Sequence, residues 1–521
     1  MNLINFETQL NFLKIPTPLI LILIITSGFL VRIYFAYWNI NFESSDAFLF
    51  FLEAKSFSEG NFKEINVRSL WPLLISPFLS IFQFEKLVDN VNLIKIISIF
   101  ISSITVLVIF KISKKFVKVR YALFVAALFA FDPSIIQNSV FGIREPIFIL
   151  LGLISFFYGI NKNEKFMLLA FLFAGLAMDA KVNAIVLPIF LSVLIFVRFK
   201  SFKKISKYIL AGMGIFVIVS IPYILIPIEQ GQIPFIFYAI DASNTVNENI
   251  ITPSTYTDSN SDNQEIIINS FLREIIHFAR INLPITWIFA CIGFFAWINN
   301  RDYKFYGIIS LLAIILVVAL PMYFQSAEYR NLLLASPLLF ILSGIGLEKI
   351  LEKRKIRKII LISVTIILFS TSIFLITILD NRDKEEILEK ENISKIIIEK
   401  FSGRFLGDLF VNINQNIPNV EHGAVKDTSN VLYYNDRNSI TMQITPITSS
   451  EFLISESDRL KVDYIIIDNK LDNRFPLFEN IFQFEDNYPY LEKEFEYISE
   501  ITDLHVKIFK INYDHYKENQ E

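Results

Sequence analysis

From Thr17 to Leu379 the chain repeats one pattern: an apolar run about as long as a bilayer is thick, then a short polar interruption. A helix needs about 20 residues, with a range of about 17–25, to cross the hydrocarbon core. Runs of this kind fall at 17–38, 92–110, 121–139, 144–160, 166–182, 183–199, 207–228, 282–299, 305–324, 330–347 and 358–379, about eleven in all. Only 19% of the 521 residues are charged, against about 25% in soluble proteins. The pattern therefore predicts a polytopic α-helical membrane protein. Its one cysteine, Cys291, lies inside an apolar run and offers neither a disulfide framework nor a thiolate metal site. The first run has no basic leader and no small-residue cleavage site, so it reads as a retained anchor.

Lysine and arginine orient the set, because cytoplasmic loops carry them in excess. KISKKFVKVR (Lys111 to Arg120) and RFKSFKKISK (Arg198 to Lys207) hold five basic residues each, and EKILEKRKIRK (Glu348 to Lys358) holds six. With these three inside, the spans alternate, the N-terminus is cytoplasmic and the C-terminus extracytoplasmic. LWPLLISPFLSIF (Leu70 to Phe82) breaks that parity if it crosses, and it is short and contains Pro72 and Pro77. It is expected to lie in the interface. Domain 1–379 then has outer loops at 39–91, with two juxtamembrane helices, and at 229–281. A separate outer domain spans 380–521.

Charge is divided in the same way. Residues 380–521 carry 16 Lys+Arg against 28 Asp+Glu, and the preceding part carries 32 against 23. An acidic tail on a basic membrane body argues against nucleic acid as a partner. Ionisable residues inside apolar spans are costly, about 2.5–3.5 kcal/mol each at the centre on insertion scales. Arg32, Arg144–Glu145, Asp179 with Lys181, and Arg330 are such residues, and the topology puts all of them at outer span ends. Asp46, in ESSDAFLFFLEAKSFSEG, falls at the same level. Snorkelling accounts for any one cation, and an N-cap role accounts for Asp46; their shared level points to a site at the water–lipid boundary.

FLVRIYFAYWNINFESSDAFLFFLEAKSFSEGNF (from Phe29) resembles the start of GT-C class glycosyltransferases, of the dolichyl-phosphate-mannose protein mannosyltransferase and aminoarabinose transferase type. In these an arginine ends the first span and an Asp-bearing helix opens the outer loop. LWPLLISPFLSIF resembles their second juxtamembrane helix, and REPIFILLGLISFF (from Arg144) a span with a polar outer end. LFAGLAMDAKVNAIVLPIFL places Lys181 at the lysine of their GLA…K…LP hairpin, and YRNLLLASPLLFILSGIGL (from Tyr329) resembles a late span that begins with arginine. The resemblance covers residues 15–350. It departs where the family has adjacent acids, since Asp46 is followed by Ala47; Glu43 stands one turn earlier.

The resemblance implies transfer of a sugar from a polyprenyl- or dolichyl-phosphate donor to an acceptor hydroxyl on a protein, lipid or glycan, with inversion. Asp46 is the expected general base, with Glu43 as a second carboxylate. Arg144, Lys181, Arg330 and Arg32 are the expected phosphate ligands, and Glu145, Asp179 and His277 the candidate sugar or acceptor contacts. A divalent cation (Mg or Mn) is left open, because the paired acids are missing. Alternatives are an oligosaccharide transferase, glycan polymerase or ligase, against which the absent Trp-Trp-Asp signature counts, and a non-catalytic transporter or scaffold. In 380–521, IIIEKF predicts a helix, and GRFLGDLFVNI, SNVLYYN, VDYIIIDN and HVKIFKINY predict strands of a small α/β domain. Asn392-Ile-Ser394 is an outer sequon near the membrane.

Overall fold

A computed structural model of the chain describes residues 16–38, 45–60, 70–82, 84, 87–161, 163–229, 284–299, 333–351, scattered positions from 363 to 401, and then 405–407, 431–435, 440–443, 449–469 and 476–518. The body is helical: α1 (Thr17–Trp38), α2 (Ser45–Ser58), α3 (Leu70–Phe82), α4 (Leu87–Ser113), α5 (Val119–Phe131), α6 (Pro133–Val140), α7 (Glu145–Gly159), α8 (Phe166–Ala180), α9 (Val186–Arg198) and α10 (Phe202–Glu229). Helices Pro284–Asn299 and Ser336–Leu351 follow.

Of the expected eleven or so spans, the described residues show only some. Among the described residues three helices are long and apolar enough to cross a membrane, within α1, α4 and α10, or four if the bent pair α5–α6 is one broken span. The runs 144–160, 166–182 and 183–199 do fold as helices, but α7, α8 and α9 are only 15, 15 and 13 residues long. Arg144–Glu145 stand at the start of α7, and Lys181, in extended conformation, follows the end of α8. The 305–324 run lies outside the described residues.

The α5–α6 elbow shows how sequence sets a bend. Pro133 has no N–H to offer Phe129 O four residues back, and Asp132 is extended, so α5 stops at Phe131 and α6 departs at 48°. Asp132 then caps α6, accepting from Ile135 N at 3.1 Å and from Ser134 Oγ. Elsewhere small residues allow backbones to meet. A Cβ on Gly293 would stand 1.9 Å from Leu342 O, and one on Gly346 would stand 2.0 Å from Phe289 O. The Pro284–Asn299 and Ser336–Leu351 helices therefore cross at backbone contact.

The polar turns gather at two ends of the bundle. At one end Lys115 Nζ donates to Phe157 O (3.1 Å), Arg198 donates to Asn161 O, and Lys204 pairs with Glu164 (3.1 Å), so the basic turns after α4, α7 and α9 share a face. At the other end lie the α6–α7 turn and Lys181.

The C-terminal part is a six-stranded mixed sheet, ordered β3 (Ile440–Gln443), β2 (Val431–Asn435), β1 (Phe405–Gly407), β4 (Tyr464–Asp468), β6 (His505–Ile511), β5 (Leu491–Ile498). Only β1 and β4 run parallel. Strand alternation sends Ile465, Ile467 and Phe509 to a core with helices Ser450–Leu460 and Pro476–Gln483. Ile466, Val506 and Ile508 go to the opposite core with Ile393 and Ile397. The predicted strands at YIIID and HVKIFKI are present because both faces of each are apolar. GRFLGDLFVNI yields strand only at Phe405–Gly407 among the described residues. β5, LEKEFEYI, was not expected: it is an edge strand whose charged residues face water and block further pairing.

Candidate functional site

Gly142 makes the turn into α7 with a left-handed backbone, φ +72°. Its carbonyl accepts from the indole Nε1 of fully buried Trp71 at 3.0 Å. That bond pins the α2–α3 pair onto the start of α7. A side chain at 142 would meet Ile94 at 3.1 Å and the stem of Lys95 at 3.7 Å, so buried Lys95 of α4 lies directly behind the same turn.

Two residues on, Arg144 and Glu145 open α7. Glu145 is 2% exposed, and its Oε1 accepts from Lys181 Nζ at 2.9 Å. Lys181, 4% exposed, follows the last residue of α8 in extended conformation, and a 3-10 turn (Val182–Ile185) leads from it into α9. The helix ends favour this placement, since an α-helix attracts negative charge at its N-terminus and positive charge at its C-terminus. The Arg144 guanidinium stands 5.2 Å over the Phe50 ring of α2. Asp46 is the second residue of α2, one turn before Phe50. Positions 46, 50, 53 and 57 are spaced at helical intervals along α2, and Phe50 is the residue that meets Arg144.

The structure thus brings together Glu145 and Lys181, and sets the adjacent Arg144 against α2 at Phe50. It separates two other candidates. Arg32 is fully buried, and its Nη1 donates to Ala130 O (2.7 Å) and Gly28 O (2.9 Å), its Nη2 to Phe129 O (3.5 Å), and its Nε to Ser102 Oγ (3.2 Å). Phe129 O and Ala130 O are the acceptors left over by the Pro133 elbow, so the expected phosphate role of Arg32 is corrected to a latch between α1, α4 and α5. Asp179 lies one turn after Gly175, which packs on Val219 of α10; the half-buried Asp179 therefore belongs to the α8–α10 side. Glu43, His277 and Arg330 lie outside the described residues. Among the described residues no three His, Cys, Asp or Glu form a metal-binding group.

Glu53, Lys95 and Asp132 were missed in the sequence. Glu53 carried a signal, its spacing of seven from Asp46. Lys95 and Asp132 sit inside apolar runs, and the DPS motif at 132–134 is a helix-start signature.

A small apolar pocket of about 40 Å³ is lined by Gly152, Leu153 and Phe156 of α7, Val186, Leu187 and Phe190 of α9, and Leu334 and Leu338. Gly152 lies two turns into α7 from Glu145, and Val186 is five residues after Lys181.

This architecture defines a polytopic α-helical membrane protein with a GT-C-like fold and a small C-terminal β-sheet. It is similar to the crystal structure of ArnT from Cupriavidus metallidurans bound to undecaprenyl phosphate, with a TM-score of 0.56 and 10% identity over 94% of this chain and 97% of that one. The Archaeoglobus fulgidus oligosaccharyltransferase in its apo form gives 0.53 and 10%, over 92% and 73%. Archaeal AglB from the same organism, in complex with an inhibitory peptide and a dolichol-phosphate, gives 0.52 and 10%, over 93% and 74%. At such identity the likeness is one of fold. The chain belongs to the family described as predicted membrane protein (DUF2079), whose profile matches residues 73–397. No curated protein matches it.

Proposed function

We propose that this chain transfers a sugar from a polyprenyl-phosphate carrier to an acceptor hydroxyl at the outer membrane–water boundary. The observation that carries the reading is the buried Glu145–Lys181 pair, with Arg144 over Phe50 of the Asp46-bearing helix. Buried charge at a membrane boundary is costly and marks function by default. The pocket's lining offers no polar side chain, which suits contact with a hydrocarbon chain. The solved relatives carry undecaprenyl phosphate and dolichol-phosphate, which supports a lipid phosphate as the donor class here.

In this reading the acceptor oxygen attacks the anomeric carbon as the carbon–oxygen bond to the lipid phosphate breaks, inverting the centre. Asp46 takes the acceptor proton, a contribution of about 10²–10⁴-fold for a positioned base. Arg144 and Lys181 stabilise the departing phosphate, with Arg330 retained as a third cation. Glu145 holds Lys181 in place, and Glu53 supplies the second carboxylate on the α2 stripe, a role expected of Glu43. A second reading, transfer of a preassembled oligosaccharide, is favoured by the likeness to the archaeal oligosaccharyltransferases.

The test is transfer from a radiolabelled polyprenyl-phosphate sugar in membranes. Asp46→Asn is expected to lower turnover by at least about 10²-fold at unchanged abundance. Turnover near that of the parent sinks the base assignment. Size analysis of the transferred glycan separates one sugar from an oligosaccharide.

A further inference from the structure

At the basic end of the bundle, away from the proposed site, α10 begins with a cluster of lysines that is not evenly used. Lys204 pairs with Glu164, which also accepts from Tyr208 OH at 3.0 Å. Among the described residues no carboxylate pairs with Lys200, Lys203 or Lys207, and all three are exposed. Helical periodicity continues the Lys203–Lys207 row through Leu210, Gly214 and Val217. Leu210 is 71% exposed, Val217 is 47% exposed, and a Cβ on Gly214 would meet nothing within 4 Å. The opposite face of α10 is the packed one, where Gly212 touches Phe171 and Val219 touches Gly175.

One helix face thus presents two ammonium groups, unpaired among the described residues, above an exposed apolar stripe with a notch at Gly214. That is the polarity of a phospholipid aligned with the helix: anionic head on cations, acyl chain along hydrocarbon. We propose that the Lys203–Lys207 face of α10 binds an anionic phospholipid of the leaflet that meets the basic turns. A zwitterionic head gains little there, because its own ammonium cancels the attraction. Phe202, 79% exposed beside Lys203, adds apolar surface next to the cations.

The experiment is native mass spectrometry of the full chain in mild detergent, titrated with phosphatidylglycerol or with phosphatidylcholine of the same acyl chains. The parent is expected to retain phosphatidylglycerol preferentially. A basic residue near an anionic surface is worth about five-fold in binding, so Lys203→Gln/Lys207→Gln should weaken retention by about 25-fold. Lys204→Gln, equal in charge change but paired with Glu164, should change it by less than about two-fold. Equal retention of the two lipids, an unaffected double variant, or the same loss in Lys204→Gln overturns the proposal. So does a disulfide dimer of Gly214→Cys in a Cys291→Ser background in membranes, which would put a second copy on the stripe.

Discussion

Removing the Lys181 ammonium leaves the Glu145 carboxylate buried without its 2.9 Å partner. The side chains are 5% and 3% exposed, so water cannot take over. Breaking a buried pair by deleting one partner costs about 3–5 kcal/mol, whereas replacing both by groups of similar size is often neutral or stabilising by about 1–4 kcal/mol. Lys181→Met alone should therefore unfold at a clearly lower temperature than the parent in detergent, and Glu145→Gln alone should do the same. Glu145→Gln/Lys181→Met should return to near parental stability. Function should not return with it, because the double variant has lost the cation that the donor phosphate requires. The assays are thermal unfolding of purified protein and polyprenyl-phosphate binding on the same samples. Single variants as stable as the parent would refute the burial argument. A stable double variant that still binds the lipid phosphate as the parent does would refute the functional one.

Four further outcomes are expected. Gly293→Ala and Gly346→Ala each drive a methyl to about 2 Å from a carbonyl, so each should abolish folded protein in membranes, whereas Gly214→Ala, in open space, should not. Arg32→Lys keeps the charge but loses the fork that serves Ala130 O, Gly28 O and Ser102; unsatisfied buried acceptors at about 1–3 kcal/mol each predict a lower unfolding midpoint than for Ser102→Ala. Trp71→Phe removes the donor to Gly142 O and should speed proteolysis of the α2–α3 segment.

The fourth outcome concerns pH. Hydrogen bonds from Lys493 hold the carboxyls of Glu485 and Glu496 below their ordinary value of 4.5, and hydrogen bonds to Glu485 and Glu496 raise Lys493 above 10.5. The depressed carboxylates stabilise the C-terminal sheet above pH 4.5, and that contribution is lost as pH falls through their lower folded values. The raised Lys493 stabilises it below pH 10.5, and that contribution is lost as pH climbs through its folded value. Urea midpoints of the sheet, followed in the full chain, should be flat between, and Lys493→Gln should blunt both edges; an unchanged profile would remove the network from the account.

What the sequence by itself determined is what sums locally. Transfer free energy adds along a window of about 20 residues, so the membrane class, most helix positions and the two-faced apolar strands at 464–468 and 505–511 were legible from residue order. So were Arg144, Glu145 and Lys181 as costly charges that needed a reason. Tertiary structure alone decided the partners. Whether a buried cation meets a carboxylate or a carbonyl depends on how helices far apart in the chain cross. Arg32 answers the acceptors stranded by Pro133, a hundred residues away, while Lys181 answers Glu145.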